Sequence, residues 1–394
     1  MDIEKLRAET PGCRERIHLN NCGASLMPDP VVRAVQAHIA LESRIGGYEA
    51  ADARADEIRA AYRSVADLIG AKPENVAFTE NATAAYIQAL SSVPFAPGDV
   101  VVTTRNDYAS NQIQLLSLRR RAGIELVRAP DRPEGGVDAA AAAELIRRRR
   151  PKLVCVTHVP TSSGLVQDVA AIGAVCRDEG ILYLVDACQS VGQMPVDVRD
   201  VHCDFLSATS RKFLRGPRGA GFLYVSDRAL GLGLEPLFMD LWSAEWIGPD
   251  EYRPARDAKR YENFEFAWAL VLGTGEAARY ATAIGLDAIR ERIRLLADRL
   301  RGRLRQIRGL RLLDRGAELC GIVAVATGDR APGEIVRALR NRGINTSAQP
   351  RSSAVLDADD KSVSAWLRLA PHYYNTEDEI DRAADALAEI LERR

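Results

Sequence analysis

Residues Tyr183 to Gly221 read YLVDACQSVGQMPVDVRDVHCDFLSATSRKFLRGPRGAG. An apolar run from Ile181 to Val185 leads into this stretch and ends on Asp186. Its β-branched and leucine side chains leave no polar face, as in a strand of a parallel sheet buried on both sides. Asp186 is therefore expected at a strand's carboxyl end, where open α/β sheets place their ligands. A second apolar run, Cys203 to Ala208, is followed by Thr209, Ser210 and Arg211, and then by Lys212 in a Gly- and Arg-rich loop. One carboxylate and one amine thus reach the same rim.

That pair suits pyridoxal 5'-phosphate. The cofactor needs a lysine amine to hold its aldehyde, and its ring nitrogen stays protonated, and so draws electrons, only beside an acid. Asp186 and Lys212 fit those two roles. On spacing alone two plainer roles stay open: Asp186 as the cap of the next helix, and Lys212 as one surface cation among many.

The wider pattern carries a resemblance. VDACQS followed by SATSRKFLRGPRGAGFL resembles the class V aminotransferase group of fold type I pyridoxal phosphate enzymes. That group includes cysteine desulfurases, selenocysteine lyases, isopenicillin N epimerase and hercynylcysteine sulfoxide lyase. The shared pattern is an acid, two residues and Gln, then Ser or Thr, His or Arg, Lys and Gly-Pro-x-Gly. LNNCGA near the start and LRLAPHYYNTEDEID near the end extend it over nearly the whole chain. The resemblance implies an α/β fold: a large domain with a mainly parallel, seven-stranded sheet and a smaller α+β C-terminal domain. The expected division is an N-terminal segment over 1–29 that crosses the site's mouth, a cofactor-binding domain over 30–270, and a small domain over 271–394. A homodimer with active sites at its interface is implied as well.

Composition narrows the class. The chain has 394 residues, enough by length for about two to three domains, and its hydrophobic fraction of 47% supplies a large core. Lys+Arg 53 against Asp+Glu 54 leaves a net charge of -1, which gives no global basic footprint for nucleic acid or an anionic membrane surface. No apolar run approaches a membrane span, and MDIEKLRAETPGCRER lacks the apolar core of a signal peptide, so a cytoplasmic location is expected. Seven scattered cysteines form no Cys-x-x-Cys pair, and five histidines show no ligand spacing, so no catalytic metal is expected.

Along the chain, IHLNNCGASLMP reads as a short extended run, followed by a helix from about Pro30 to Ser43. In the resembled family this opening turns at Gly23 and Ala24 toward the substrate carboxylate; an ordinary surface turn is the alternative. IGGYEAAD places Tyr48 in a loop between helices that either faces substrate or merely breaks a helix. After the strand NVAFT, a helix opens at Asn81, Ala82 and Thr83. Its N–H groups and hydroxyl form a ready phosphate site, and the family binds the cofactor phosphate there, although Asn or Thr at such a place is also an ordinary cap. In RNDYASNQ, Tyr108 matches the aromatic that stacks on the cofactor ring. The run RRRR at 147–150 ends a helix where cations suit the dipole.

By the same resemblance, Gln189 donates to the cofactor's phenolic oxygen and Thr209 holds its phosphate. Asn263, in RYENFEF, reaches a neighbouring subunit's phosphate. THVPTSSG has Thr161 where desulfurases carry an Asn near substrate, and Arg211 replaces their His, as in hercynylcysteine sulfoxide lyases. A long helical stretch is expected from about Leu270 to Ile307. Beyond it Arg368 stands alone on the apolar strand Leu367 to Ala370, where burial without a partner is costly. A substrate carboxylate is a bidentate partner for it, as in the family; a structural salt bridge is the alternative.

The stretch where desulfurases carry their persulfide-forming cysteine, GINTSAQPRSSAVL here, has none. A lyase, an epimerase or an aminotransferase stays open, with an amino acid as substrate, Arg368 on its carboxylate and Lys212 removing the α-proton. The favoured reading is β-elimination with carbon–sulfur cleavage of a cysteine-derived substrate. A non-catalytic relative that keeps the fold as a binding protein is the alternative from another class.

Overall fold

Seven strands pair into the principal sheet: β1 (Val76–Thr79), β2 (Val100–Thr103), β3 (Glu125–Arg128), β4 (Leu153–Thr157), β5 (Leu182–Asp186), β6 (Phe205–Thr209) and β7 (Gly221–Val225). The structure, a computed structural model, describes residues 1–392. The order is β1-β7-β6-β5-β4-β2-β3, and β7 alone runs against its neighbours. Successive residues of the central strands enter opposite cores. Val154, Val156, Tyr183, Val185 and Leu206 face one, while Leu153, Cys155, Leu184 and Phe205 face the other. Both sheet faces are therefore covered, which is why these strands read as continuous apolar runs.

Register sets the site. Asp186 lies opposite Thr157 on one side and Ser207 on the other, and Thr209 lies opposite Gly221, which in turn faces Thr79. The ends of β4, β5 and β6 thus form one rim, which continues through β7 to the end of β1.

A second, antiparallel sheet has the order β8-β9-β11-β10, from β8 (Arg311–Leu312), β9 (Val323–Ala326), β10 (Ser347–Pro350) and β11 (Ala365–Leu369). Val323, Val325, Leu367 and Leu369 pack on Leu300 and Leu387 from covering helices. The short strand Ile17–His18 joins this region by pairing with Ile344–Asn345, and Asn20 bridges Ala370. The amino-terminal segment therefore runs between the two sheets.

Two local expectations are corrected. The stretch from Leu270 is two helices, Trp268–Ile284 and Leu286–Leu304, broken at Gly285, whose φ of 94° no helix accommodates. IGGYEAAD is helical from Gly47 to Ala53, with the turn confined to Gly46. An aromatic connector, residues 233–267, leads from the end of the principal sheet to the helix Trp268–Ile284 and contains a hairpin, Ala244–Gly248 paired with Glu251–Pro254.

Two buried groups fix the connections. Arg215 donates to the Leu26 carbonyl at 2.8 Å, to Thr10 Oγ1 at 2.6 Å and to the Tyr373 hydroxyl, and lies 4.5 Å from the Tyr374 ring centroid. It clamps the amino-terminal segment, the Lys212 loop and the C-terminal region together, and among the described residues it meets no acid. Glu262 anchors the connector: it accepts from Tyr62 Oη at 2.8 Å, from the Phe78 amide on β1 at 2.7 Å and from Trp242 Nε1 at 3.0 Å. Burial pushes its carboxyl up to about 7.

A carboxyl whose folded pKa exceeds its unfolded value adds stability below the unfolded pKa, and that stability is lost as pH rises through about 7. Urea unfolding of the native chain and Glu262→Gln at pH 5 and pH 8 checks this. The wild type should lose on the order of 2 to 3 kcal/mol more than the variant over that interval. Equal losses would mean that Glu262 ionises normally in the fold.

Candidate active site

Asp186 ends β5 almost fully buried, so its oxygens need donors. Oδ1 accepts from the Cys188 amide at 2.9 Å and Oδ2 from Asn111 Nδ2 at 2.8 Å. Asn111 belongs to the helix Ala109–Ala122, whose first turn follows Tyr108. That places the Tyr108 ring 5.7 Å, centroid to Nζ, from Lys212.

Lys212 sits in a loop closed on itself by the Ser210 hydroxyl, which donates to the Pro217 carbonyl at 2.6 Å. A Cβ on Gly216 would stand 2.7 Å from Ser210 Cβ, so only glycine allows this closure. The Lys212 side chain is buried, and among the described residues its amine has neither a hydrogen-bond acceptor nor a carboxylate.

The rim continues toward β1. A Cβ on Gly221 would lie 2.8 Å from the Asn81 carbonyl carbon and 2.9 Å from the Ala82 nitrogen, so β7 presses against the start of the helix Ala82–Ser91. Ala82 and Thr83 belong to its first turn, whose N–H groups have no partner within a helix. Thr209 is buried beside them, its hydroxyl directed to the Ala220 carbonyl at 3.3 Å. Asn81 acts as the cap, accepting from the Ala84 amide at 3.0 Å.

A third group joins the two sheets. Gln189 Nε2 donates to the Cys22 carbonyl at 3.0 Å and to Thr161 Oγ1 at 2.8 Å, and Gln189 Oε1 is buried without a partner. Thr161 Oγ1 also accepts from Arg368 Nη1, which donates to the Thr161 carbonyl at 2.7 Å; Arg368 Nε reaches Ser347 Oγ at 3.2 Å. Arg368 is buried, and among the described residues it meets no carboxylate. Cys22 feels both Arg368 and Lys212, whose charges oppose the upward push of burial on its thiol. Arg211 donates to the Gly23 carbonyl, and His18 Nε2 lies 2.8 Å from the Ala24 carbonyl, so the turn at Gly23 and Ala24 is held from both sides. Burial and Arg218 lower the pKa of Arg211.

Of the remaining sequence candidates, Tyr48 stands apart from this cluster within the chain, whereas Asn263 lies at its β1 end. Tyr48 is 73% exposed and lines a cavity of about 540 Å³ with Trp242, Phe264 and Trp268. Asn263 lines a smaller cavity with Thr79, Glu80 and Gly219. Conversely, sequence reasoning missed Asp107, Asn111 and Cys22. The first two carry a usable signal, an acid and an amide four residues apart at a helix start on either side of the candidate aromatic.

The donor set fits pyridoxal 5'-phosphate. Among the described residues, a buried amine without an acceptor and a buried amide oxygen without a donor mark partners the protein does not itself supply.

Comparison with known proteins agrees. The family described as Aminotransferase class-V matches residues 17–383. The chain is 29% identical over 396 residues to a protein of Methanothermobacter thermautotrophicus named "Probable cysteine desulfurase", covering 99% of this chain and 98% of that one. It is also 29% identical over 373 residues to the "Probable hercynylcysteine sulfoxide lyase" of Mycobacterium tuberculosis, covering 94% and 89%. The apo cysteine desulfurase of Thermococcus onnurineus superposes with a TM-score of 0.90 at 26% identity, covering 98% of each chain. The expected fold type I architecture, with its mostly parallel seven-stranded sheet, is thus present. With residues 17–383 matched, the chain belongs to the class-V aminotransferase family, and its cofactor is pyridoxal 5'-phosphate.

Proposed function

We propose that this enzyme catalyses β-elimination on a cysteine-derived amino acid, cleaving its carbon–sulfur bond without a persulfide relay. The observation that carries the reading is Arg368: a buried guanidinium held by Thr161 and Ser347, with no acid partner among the described residues, linked through Thr161 to Gln189. A substrate α-carboxylate completes that set.

Bound pyridoxal 5'-phosphate supplies the electron sink that lets an amino acid's α-C–H bond ionise. Asp186 would hold the proton of the cofactor's ring nitrogen, and Tyr108, beside Lys212, would stack on the ring. Arg368 fixes the carboxylate, and the Lys212 amine takes the proton from Cα. The Cβ–S bond then breaks, its electron pair leaving with sulfur as a double bond forms between Cα and Cβ. Sulfur takes up a proton and leaves as a thiol, or as a sulfenic acid from a sulfoxide. Addition of water to the remaining three-carbon fragment gives pyruvate and ammonia.

Against sulfur relay stand the thiols. The segment 343–356 contains no cysteine. Cys22 and Cys188, the thiols that feel Lys212, are buried, and burial raises both, so neither is a ready thiolate. A homodimer is supported by the connector, which exposes Leu237, Phe238, Leu241 and Trp246, an apolar face seldom left in water. Asn263, on the same connector, then meets the neighbour's cofactor.

Spectroscopy, turnover, isotope exchange and light scattering check these statements. The purified holoenzyme should show a visible absorbance band that Lys212→Ala abolishes, and a panel of L-cysteine conjugates and sulfoxides should yield pyruvate. Uptake of solvent deuterium at Cα without pyruvate would move the assignment to epimerisation. Arg368→Lys should lower kcat/KM by about ten- to a hundredfold, the loss of one or two charge-assisted hydrogen bonds, while the band persists. Light scattering should give twice 43.1 kDa, and Trp246→Glu should shift the population toward monomer.

A further inference from the structure

A second carboxylate lies behind Asp186. Asp107 precedes Tyr108 at the rim and is buried. Its Oδ1 accepts from the Tyr108 amide at 2.7 Å, from Asn111 Nδ2 at 3.2 Å and from the Thr157 hydroxyl of β4; its Oδ2 accepts from Gln112 Nε2 at 2.7 Å and from the Thr103 hydroxyl of β2 at 3.1 Å. Five donors from two strands and one helix start converge on one side chain. It is not a helix cap, since no side chain caps the helix Ala109–Ala122. A spacer at that place would not need to be an acid, because a buried carboxylate costs more than a neutral residue of the same shape.

We propose that Asp107 is a positioning residue for the cofactor ring, fixing the Asp186 carboxylate through Asn111 and the Tyr108 ring through the Tyr108 amide. The proposal rests on the pyridoxal phosphate assignment. Asn111 has two amide protons, and its nitrogen lies 2.8 Å from Asp186 Oδ2 and 3.2 Å from Asp107 Oδ1. Asp107 thereby aims the amide that holds Asp186 at the ring nitrogen. The same carboxylate sets the backbone from which Tyr108 stacks over the ring. The ring is thus registered at its edge and on its face by one group. The titratable and charged groups around Asp107 are Asp186 on β5, Cys155 on β4, Tyr86 on the helix Ala82–Ser91, and Arg128 on β3, which reaches Gln112 Oε1 at 3.2 Å. Burial and the nearby Asp186 charge both raise the Asp107 pKa, against the pull of its donors.

The test uses the full-length holoenzyme and the variants Asp107→Asn, Asn111→Ala and the pair combined. Two quantities are read: the dissociation constant for pyridoxal 5'-phosphate, and the pH midpoint of the bound cofactor's visible band. Each single variant should weaken cofactor binding about tenfold, as for one charge-assisted hydrogen bond, and move the midpoint by about one unit. The double variant should add little to either single change, because both act on one interaction. Should Asp107→Asn fail to fold, Asn111→Ala decides alone, since it leaves four of the five donors in place. Unchanged affinity and midpoint in a folded single variant, or fully additive effects in the double, would overturn the proposal. A wild-type protein that shows no band with added cofactor would overturn the cofactor assignment itself, and this proposal with it.

Discussion

Desolvation of charge is the constraint on which the site depends. Asp186, Lys212, Arg215 and Arg368 all lie at or below 8% exposure, and each meets the cost differently. Asp186 receives an amide from each side of the rim. Arg215 is satisfied by a carbonyl, two hydroxyls and the faces of two tyrosines. Among the described residues, Arg368 has oxygen partners but no acid, and Lys212 has no acceptor. Completeness separates structural charges from functional ones: a buried ion the protein satisfies on its own holds the fold, and one it leaves short is where a ligand completes the set. By that criterion three neighbouring cations of one loop divide cleanly. Arg215 is a clamp, Arg211 braces the turn at Gly23, and Lys212 alone of the three is left without a hydrogen-bond acceptor among the described residues.

Thr161 couples the two halves of the site. Its Oγ1 accepts from both Gln189 and Arg368, so both lone pairs of the hydroxyl are occupied and its single proton is free to be donated elsewhere. An asparagine there would offer donors and an acceptor in a fixed plane; threonine offers one rotatable donor. The next residue extends the coupling, since the Ser162 carbonyl accepts from Trp366 Nε1 on β11 at 3.0 Å. The loop that touches the cofactor pocket is therefore bonded to the strand that carries Arg368. Displacement of either would be felt by both.

The sheet was legible because its central strands are buried on both faces, so Leu153 to Thr157, Leu182 to Asp186 and Phe205 to Thr209 announce themselves as apolar runs ending in polar groups. Asp186 and Lys212 could be read because they lie on two consecutive runs. The polar layer beneath them could not. Thr103, Asp107, Asn111 and Thr157 meet only because β2, β4 and β5 are adjacent in the sheet, and nothing local records that order. The hairpin of the connector was hidden for the opposite reason: Ala244–Gly248 is largely exposed, so Trp246 and Ile247 show no alternation with a core. Gly285 was misjudged because an apolar helical pattern continues on both sides of it, and only the positive φ reveals the break.

The segment before Arg368 bears directly on chemistry. A sulfur relay needs a thiolate on a segment free to carry sulfur away from the site. Here Ser347 opens β10 and pairs with Arg368 itself, and the strand continues to Pro350 against Ala365. A 3₁₀ turn, Arg351–Ser353, and the helix Val355–Asp360 follow. Arg105 then ties Asp360 back to the loop that leads to Tyr108 by a fork of two bonds at 2.8 and 2.9 Å. Ordered pairing at one end and an ion pair at the other hold the segment against the site, and the hydroxyl of its Ser347 accepts from the Arg368 guanidinium. Such a wall suits a reaction whose sulfur product diffuses away as a small molecule, because nothing on it needs to receive that sulfur.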